Sequence, residues 1–178
     1  MPFATLAKMA TTFSLRSLKL RSGESFQDER DVQLEPVVLG GQRYLPVPGT
    51  VKADLGLTQA TTGRVFELRF TARLHGPCYR CMSDAVVDES IAAREYQATS
   101  PGEGDELRMP YVRAEVLDLS GWARDALVLA LPEQILCRSD CAGLCAVCGR
   151  DLNVEPHEHA DAEPDPRWAA LAELKERL

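Results

Sequence analysis

The feature that most constrains this chain is its cysteines, which fall in three close pairs: Cys78/Cys81, Cys137/Cys141 and Cys145/Cys148. A chain of 178 residues is long enough to bury a core without covalent staples. The first dozen residues carry a single lysine and no apolar run of signal-peptide length, so residues 1–12 read as a flexible extension and the expected location is the cytoplasm. In that reducing compartment disulfides are rare, and clustered thiols hold metal more often than they cross-link.

Zinc takes four tetrahedral ligands and favours thiolate and imidazole. In Cys78-Tyr79-Arg80-Cys81 and Cys145-Ala146-Val147-Cys148 two intervening residues let both sulfurs face one ion. Gly149 permits the tight turn in which backbone N–H groups point at sulfur. His157 and His159 lie just downstream, so six cysteines and two histidines supply ligands for two Zn2+ ions. Cys145, Cys148, His157 and His159 lie within fifteen residues, and so short a loop closes at little entropic cost. Cys78, Cys81, Cys137 and Cys141 remain for a site that pins one hairpin tip to a distant segment. The alternative partition joins the two CxxC units as a zinc ribbon. Bland readings stand beside both: Cys137 and Cys141 as buried thiols, His157 and His159 as solvated loop residues, and His75 as a surface residue.

Around the cysteines the patterning is mostly that of strands. Val51, Ala53, Leu55 and Leu57 alternate with polar residues, as do Phe66, Leu68, Phe70, Ala72 and Leu74, which predicts an antiparallel hairpin. Residues 85–96 read as a third, weaker strand, so Cys78 and Cys81 sit at a hairpin tip. Residues 13–44 show mixed pattern and read as irregular, edge-like chain, and 98–108 as a polar loop. Leu119, Trp122, Ala123, Ala126, Leu127, Ala130 and Leu131 recur at helical spacing, with Asp118 or Ser120 to cap the start and Pro132 to stop it. Asp165-Pro166 opens a short closing helix. The predicted fold is α+β: a twisted antiparallel sheet with a packed helix over 13–136, then a zinc-organised segment over 137–178.

Catalysis is disfavoured by the same ligand set. Catalytic zinc needs an open coordination position, whereas thiolate-rich sites are closed. A redox CxxC wants its first cysteine at a helix N-terminus, and Cys78 is on a hairpin tip. No run approaches the ~20 apolar residues of a membrane span. Acidic residues outnumber basic ones, 27 against 20, for a net charge of −7, so any RNA contact needs a local basic face. Arg69 and Arg73 on the polar row of the second strand, with Arg80 at the tip, are the candidates.

The segments GGQRYLPVP, LHGPCYRC, LALPEQILCRSDCAGLCAVCGRDLN and DPRWAALAELK resemble the YceD-like family, named for large ribosomal RNA subunit accumulation. Many members have Cys-x-Cys where this chain has His157-Glu158-His159, a departure that keeps metal-ligating chemistry. The resemblance implies a non-enzymatic factor in large-subunit ribosome biogenesis, with no catalytic residues. Its partner would be pre-rRNA or a large-subunit ribosomal or assembly protein, with no small-molecule substrate. The rival reading is a zinc-thiolate redox sensor, whose oxidation expels metal.

Overall fold

The computed structural model describes residues 11–100 and 107–159. The chain divides into two compact units, Met1–Cys141 and Ala142–Leu178. The boundary expected after residue 136 therefore falls five residues later, because Cys137 and Cys141 join the cysteines of the first unit.

The first unit is mainly antiparallel sheet. Strands β1 (Thr12–Ser14), β2 (Ser25–Gln33), β3 (Val37–Leu39), β4 (Gln42–Pro46), β5 (Thr50–Gln59), β6 (Gly63–Pro77), β7 (Asp84–Ala98), β8 (Val112–Arg113) and β9 (Val116–Asp118) precede one helix, α1 (Leu119–Ala130). The larger sheet runs β2-β5-β6-β4-β3, and β7 lies along the other side of β6. A smaller sheet has the order β1-β9-β8.

The expected hairpin is β5–β6, in register from Ala53 opposite Phe70 to Gln59 opposite Arg64. Alternation sends Ala53, Leu55, Leu57, Phe66, Leu68, Phe70 and Leu74 inward, where all are buried. The third expected strand is β7, longer at both ends than 85–96 and paired with β6 over its whole length. Gly40 and Gly41, both at positive φ, make the β3–β4 turn.

Two expectations are corrected here. Residues 13–44 are not irregular, since they supply β1 to β4. Nor does the N-terminal extension run to residue 12. Thr12 opens β1, and the Thr11 N–H donates to Ser120 Oγ at 2.9 Å while its carbonyl accepts from Leu119 and Ser120. Residues 1–10 lie outside the described residues, as do 101–106 of the expected loop and the closing helix beyond residue 159. The base of that loop is bridged, with the Ala98 N–H donating to the Leu107 carbonyl at 2.9 Å.

Helix α1 begins where the pattern put it. Asp118 is the cap: its carboxylate accepts from the Gly121 N–H at 2.9 Å, satisfying one of the free amides of the first turn. Leu119, Trp122, Ala123 and Leu127 are buried against the inner face of the sheet. Tyr111 stacks on Trp122 and donates its hydroxyl to Asp125 at 3.0 Å.

Candidate metal centres

The β6–β7 tip is a thiolate turn held from several directions. The Met82 N–H donates to the Cys78 carbonyl at 3.0 Å and the Cys78 N–H to the Ser83 carbonyl at 2.6 Å, closing the turn. The Tyr79 N–H donates to the Ile135 carbonyl at 2.8 Å, so the segment after α1 is tied to the tip by backbone as well as by sulfur. Tyr44 braces it from beneath by donating its hydroxyl to the Pro77 carbonyl at 2.9 Å. Gly76 is needed for that brace, since a Cβ there would lie 2.4 Å from the Tyr44 ring.

Four sulfurs meet at this place. Cys78 and Cys141 are 3.8 Å apart, and Cys81 and Cys137 are 3.6 Å apart. A disulfide needs sulfurs at ~2.05 Å. A tetrahedral ion with Zn–S of ~2.3 Å places its sulfurs roughly 3.8 Å from one another. The observed spacing fits the ion, and the ligand atoms of all four cysteines lie within 4.8 Å of each other. Cys78, Cys81 and Cys141 are buried while Cys137 is exposed.

The electrostatics favour thiolate. Burial raises the Cys78 thiol, but backbone N–H groups of Cys81, Cys137 and Arg80, with the Cys81 side chain, outweigh it and bring it down to about 6. The Ser83 hydroxyl and backbone lower the Cys81 thiol in the same way. Such converging donors are what a metal-bound thiolate accepts.

The second unit repeats the turn. The Gly149 N–H donates to the Cys145 carbonyl at 2.8 Å, as Met82 does to Cys78, and both residues have positive φ. Glycine takes that conformation freely, whereas Met82 holds it at φ 62 with a side chain attached. The N–H groups of Cys148 and Val147 bring the Cys145 thiol down to about 6. His157 Nε2 lies 3.1 Å from Cys148 Sγ, and His159 completes the cluster within 4.8 Å. His157 Nδ1 is 2.8 Å from the Glu155 carbonyl. That contact, the largest factor raising the ring's pKa, fixes the ring so that Nε2 faces the sulfur. Asp151 and Asn153 order the loop between the ligand pairs, with Asn153 Oδ1 accepting from the Ala142 N–H at 2.8 Å. Of these four ligands only Cys145 is buried.

The eight candidate ligands thus form the two groups that loop length suggested, not a ribbon of the two CxxC units. Sequence reasoning missed the supports: Ser83, Ile135 and Tyr44 act through backbone atoms or from other strands, where no spacing rule reaches. One signal was available, since a serine two residues past Cys81 is within reach of its sulfur.

The arginines occupy three different settings. Arg73 makes a two-pronged pair with Asp88 directly across β6–β7, at 2.7 and 2.8 Å. Arg69 stands opposite Asp54 and shares a shallow depression with Asp28, Glu29 and Glu67. Arg80 donates to the Cys141 carbonyl at 3.0 Å and so belongs to the first cysteine cluster. Arg64 pairs with Glu115 at 2.9 Å. Among the described residues no helix is long and apolar enough to cross a membrane.

Several known proteins resemble this chain. An uncharacterized protein of Mycobacterium tuberculosis is 34% identical over 125 residues, 68% of this chain and 60% of that protein. The chain thus matches less than two thirds of that relative's length. An uncharacterized protein of Mycobacterium leprae is 36% identical over 109 residues, 58% of this chain and 49% of its own. The uncharacterized protein YlbN of Bacillus subtilis is 25% identical over 158 residues, 85% of this chain and 88% of its own. No solved structure matches it. The model of the family described as large ribosomal RNA subunit accumulation protein YceD matches residues 66–175, a stretch that contains all eight clustered cysteines and histidines. The chain belongs to the YceD family.

Proposed function

We propose that this chain is a zinc-organised, non-enzymatic factor of the cytoplasm that promotes accumulation of large-subunit rRNA by binding a component of the assembling subunit. The observation that carries this reading is that the family match spans both ligand clusters. Zinc is the metal of choice because a set of four thiolates, and one of two thiolates with two imidazoles, suit it at tetrahedral spacing. A closed thiolate set leaves no open coordination position for substrate, which is why a binding role is preferred to catalysis.

Of the two partner classes, a basic ribosomal or assembly protein fits the sheet better than rRNA held by Arg69, Arg73 and Arg80. Asp88 already answers Arg73, and Arg69 stands in one cross-strand row with Asp54 and Glu29. Each neutralised phosphate contributes roughly −0.7 to −0.9 to the slope of log affinity against log salt. Changing Arg69, Arg73 and Arg80 together to Gln is expected to alter that slope for pre-ribosomal particles by less than one such step. A change of two or more would restore the arginine face as an RNA site. The pair Arg69→Gln/Arg73→Gln, which leaves the metal cluster alone, controls for misfolding.

The function itself is tested in a bacterium depleted of the protein. The ratio of large- to small-subunit rRNA is expected to fall and to recover with the wild-type chain but not with Cys78→Ser. An unchanged ratio on depletion overturns the reading. The redox-sensor alternative has the exposed Cys148 beside Cys145 in its favour. Under that alternative, mild peroxide releases zinc and changes partner binding at once.

A further inference from the structure

We infer that β7 is the seam of a two-fold dimer of this chain, in which the β7 strands of two copies pair antiparallel about Ile91 and join two sheets into one. Strand β7 has fifteen residues, and one edge pairs with β6 along its full length. Among the described residues no strand pairs with the other edge. A strand of typical length has ~5–6 residues, and a long open edge invites pairing with another chain.

The sequence of β7 is complementary to itself at its own midpoint. A two-fold axis normal to the sheet keeps directly opposed residues on one face, so only registers centred on a residue are open. Ile91 is the central residue of Asp84–Ala98, and pairing about it engages the strand from Ala85 to Gln97, leaving the Ala98 N–H on the Leu107 carbonyl. It sets Asp88 opposite the partner's Arg94, twice by symmetry, and Val86 opposite the partner's Tyr96. No like charges meet, because Glu89 faces alanine and Glu95 faces valine. A shift to Ala92 as centre opposes Glu89 with Glu95. A shift to Ser90 as centre pairs Arg94 with Val86.

The charges next to the seam extend the match. Asp88 is held by Arg73 across β6, and Arg94 stands 3.6 Å from Glu67 on the same strand pair. In the dimer the row reads Arg73, Asp88, the partner's Arg94, the partner's Glu67, alternating in sign across four strands. Beneath the seam, a groove of about 510 Å³ runs between β7 and α1, lined by Ile91, Ala93, Trp122, Ala126 and Leu129. Leu129 is 86% exposed there, an apolar side chain with nothing over it among the described residues.

The test is the mass of the full chain in solution, by light scattering during gel filtration and by sedimentation. The wild type is expected at twice the 19.6 kDa chain mass. Asp88→Arg and Arg94→Asp alone each oppose like charges at two places and are expected to weaken the dimer at least ~100-fold. Mixing the two single variants restores opposite charges at both places, so the mixture is expected to form the heterodimer. Reversing the whole row, Glu67→Arg/Arg73→Asp/Asp88→Arg/Arg94→Asp, keeps the intrachain pairs as well as the seam pairs and is expected to dimerise by itself, which keeps the test readable if either single variant folds poorly. A wild type that stays monomeric at its highest soluble concentration overturns the inference. So does a dimer indifferent to both single reversals, which would be built on another surface.

Discussion

Replacing Cys78 with serine is expected to lower the melting temperature by roughly 10 °C or more, a loss on the order of 3–5 kcal/mol for a chain of this size. His157→Ala is expected to move it by less than a third as much. The asymmetry follows from what each ligand joins. Cys78 is fully buried, and it shares its cluster with Cys141, 63 positions away in sequence, and Cys137, 56 positions from Cys81. Closing a loop that long constrains the unfolded chain far more than closing the nine positions between Cys148 and His157. A serine hydroxyl is a poor zinc ligand, and it would face three sulfurs and their converging N–H donors without an ion between them. His157 is half-exposed, and its loss leaves Cys145, Cys148 and His159 with water able to fill the gap. Melts that rank the two variants in the opposite order would reject this assignment of structural weight.

The parts of the fold legible in the sequence were those where one face is consistently apolar. β5 and β6 showed themselves because every inward position from Val51 to Leu57 and from Phe66 to Leu74 is hydrophobic. β2 was hidden for a physical reason. Its inward row, opposite Leu57, Leu55, Ala53 and Val51, reads Phe26, Asp28, Arg30, Val32. The middle two positions form an ion pair at the sheet edge, and Arg30 also covers the Phe13 ring. An edge strand exposed on one side tolerates such charges, and they erase the period-two signal. β1, β8 and β9 have only two or three residues each, too few for any period to register.

The candidate sites followed the same division. The candidate ligands and their grouping were readable because chemistry fixes residue type and chain entropy favours local closure. What surrounds the ligands was not. The Ser83, Tyr44 and Ile135 contacts depend on strand register and on which backbone atoms a turn exposes. The setting of the basic stripe was hidden for a related reason. Arg69 and Arg73 share a row on β6, yet the charge a partner would meet is decided by Asp54 and Asp88 on the strands either side, which only the register reveals.

The two centres should also release metal at very different rates. The zinc-replete protein is expected to carry two equivalents, and under excess chelator one should leave in a fast phase and the other at least ~10-fold more slowly. A chelator removes a bound ion by capturing ligand positions one after another, so the rate depends on how many ligands it can reach. In the first unit Cys78, Cys81 and Cys141 are buried, and only Cys137 can be displaced without opening the hairpin tip. That opening would also break the Tyr79–Ile135 backbone bond and the Arg80 contact to Cys141. In the second unit Cys148 and His159 are exposed and His157 is half-exposed, leaving Cys145 as the single protected ligand. Its loops are short, so losing one ligand requires no distant segment to separate. The measurement is zinc release followed with a chromogenic chelator, on the wild type and on His157→Ala/His159→Ala. The double variant should start near one equivalent and show the slow phase alone. Release in one phase from the wild type, or a fast phase surviving in the double variant, would sink the assignment of the labile ion to the Cys145 centre. A start near one equivalent in the wild type would retire that centre as a zinc site and leave the Cys78 cluster standing.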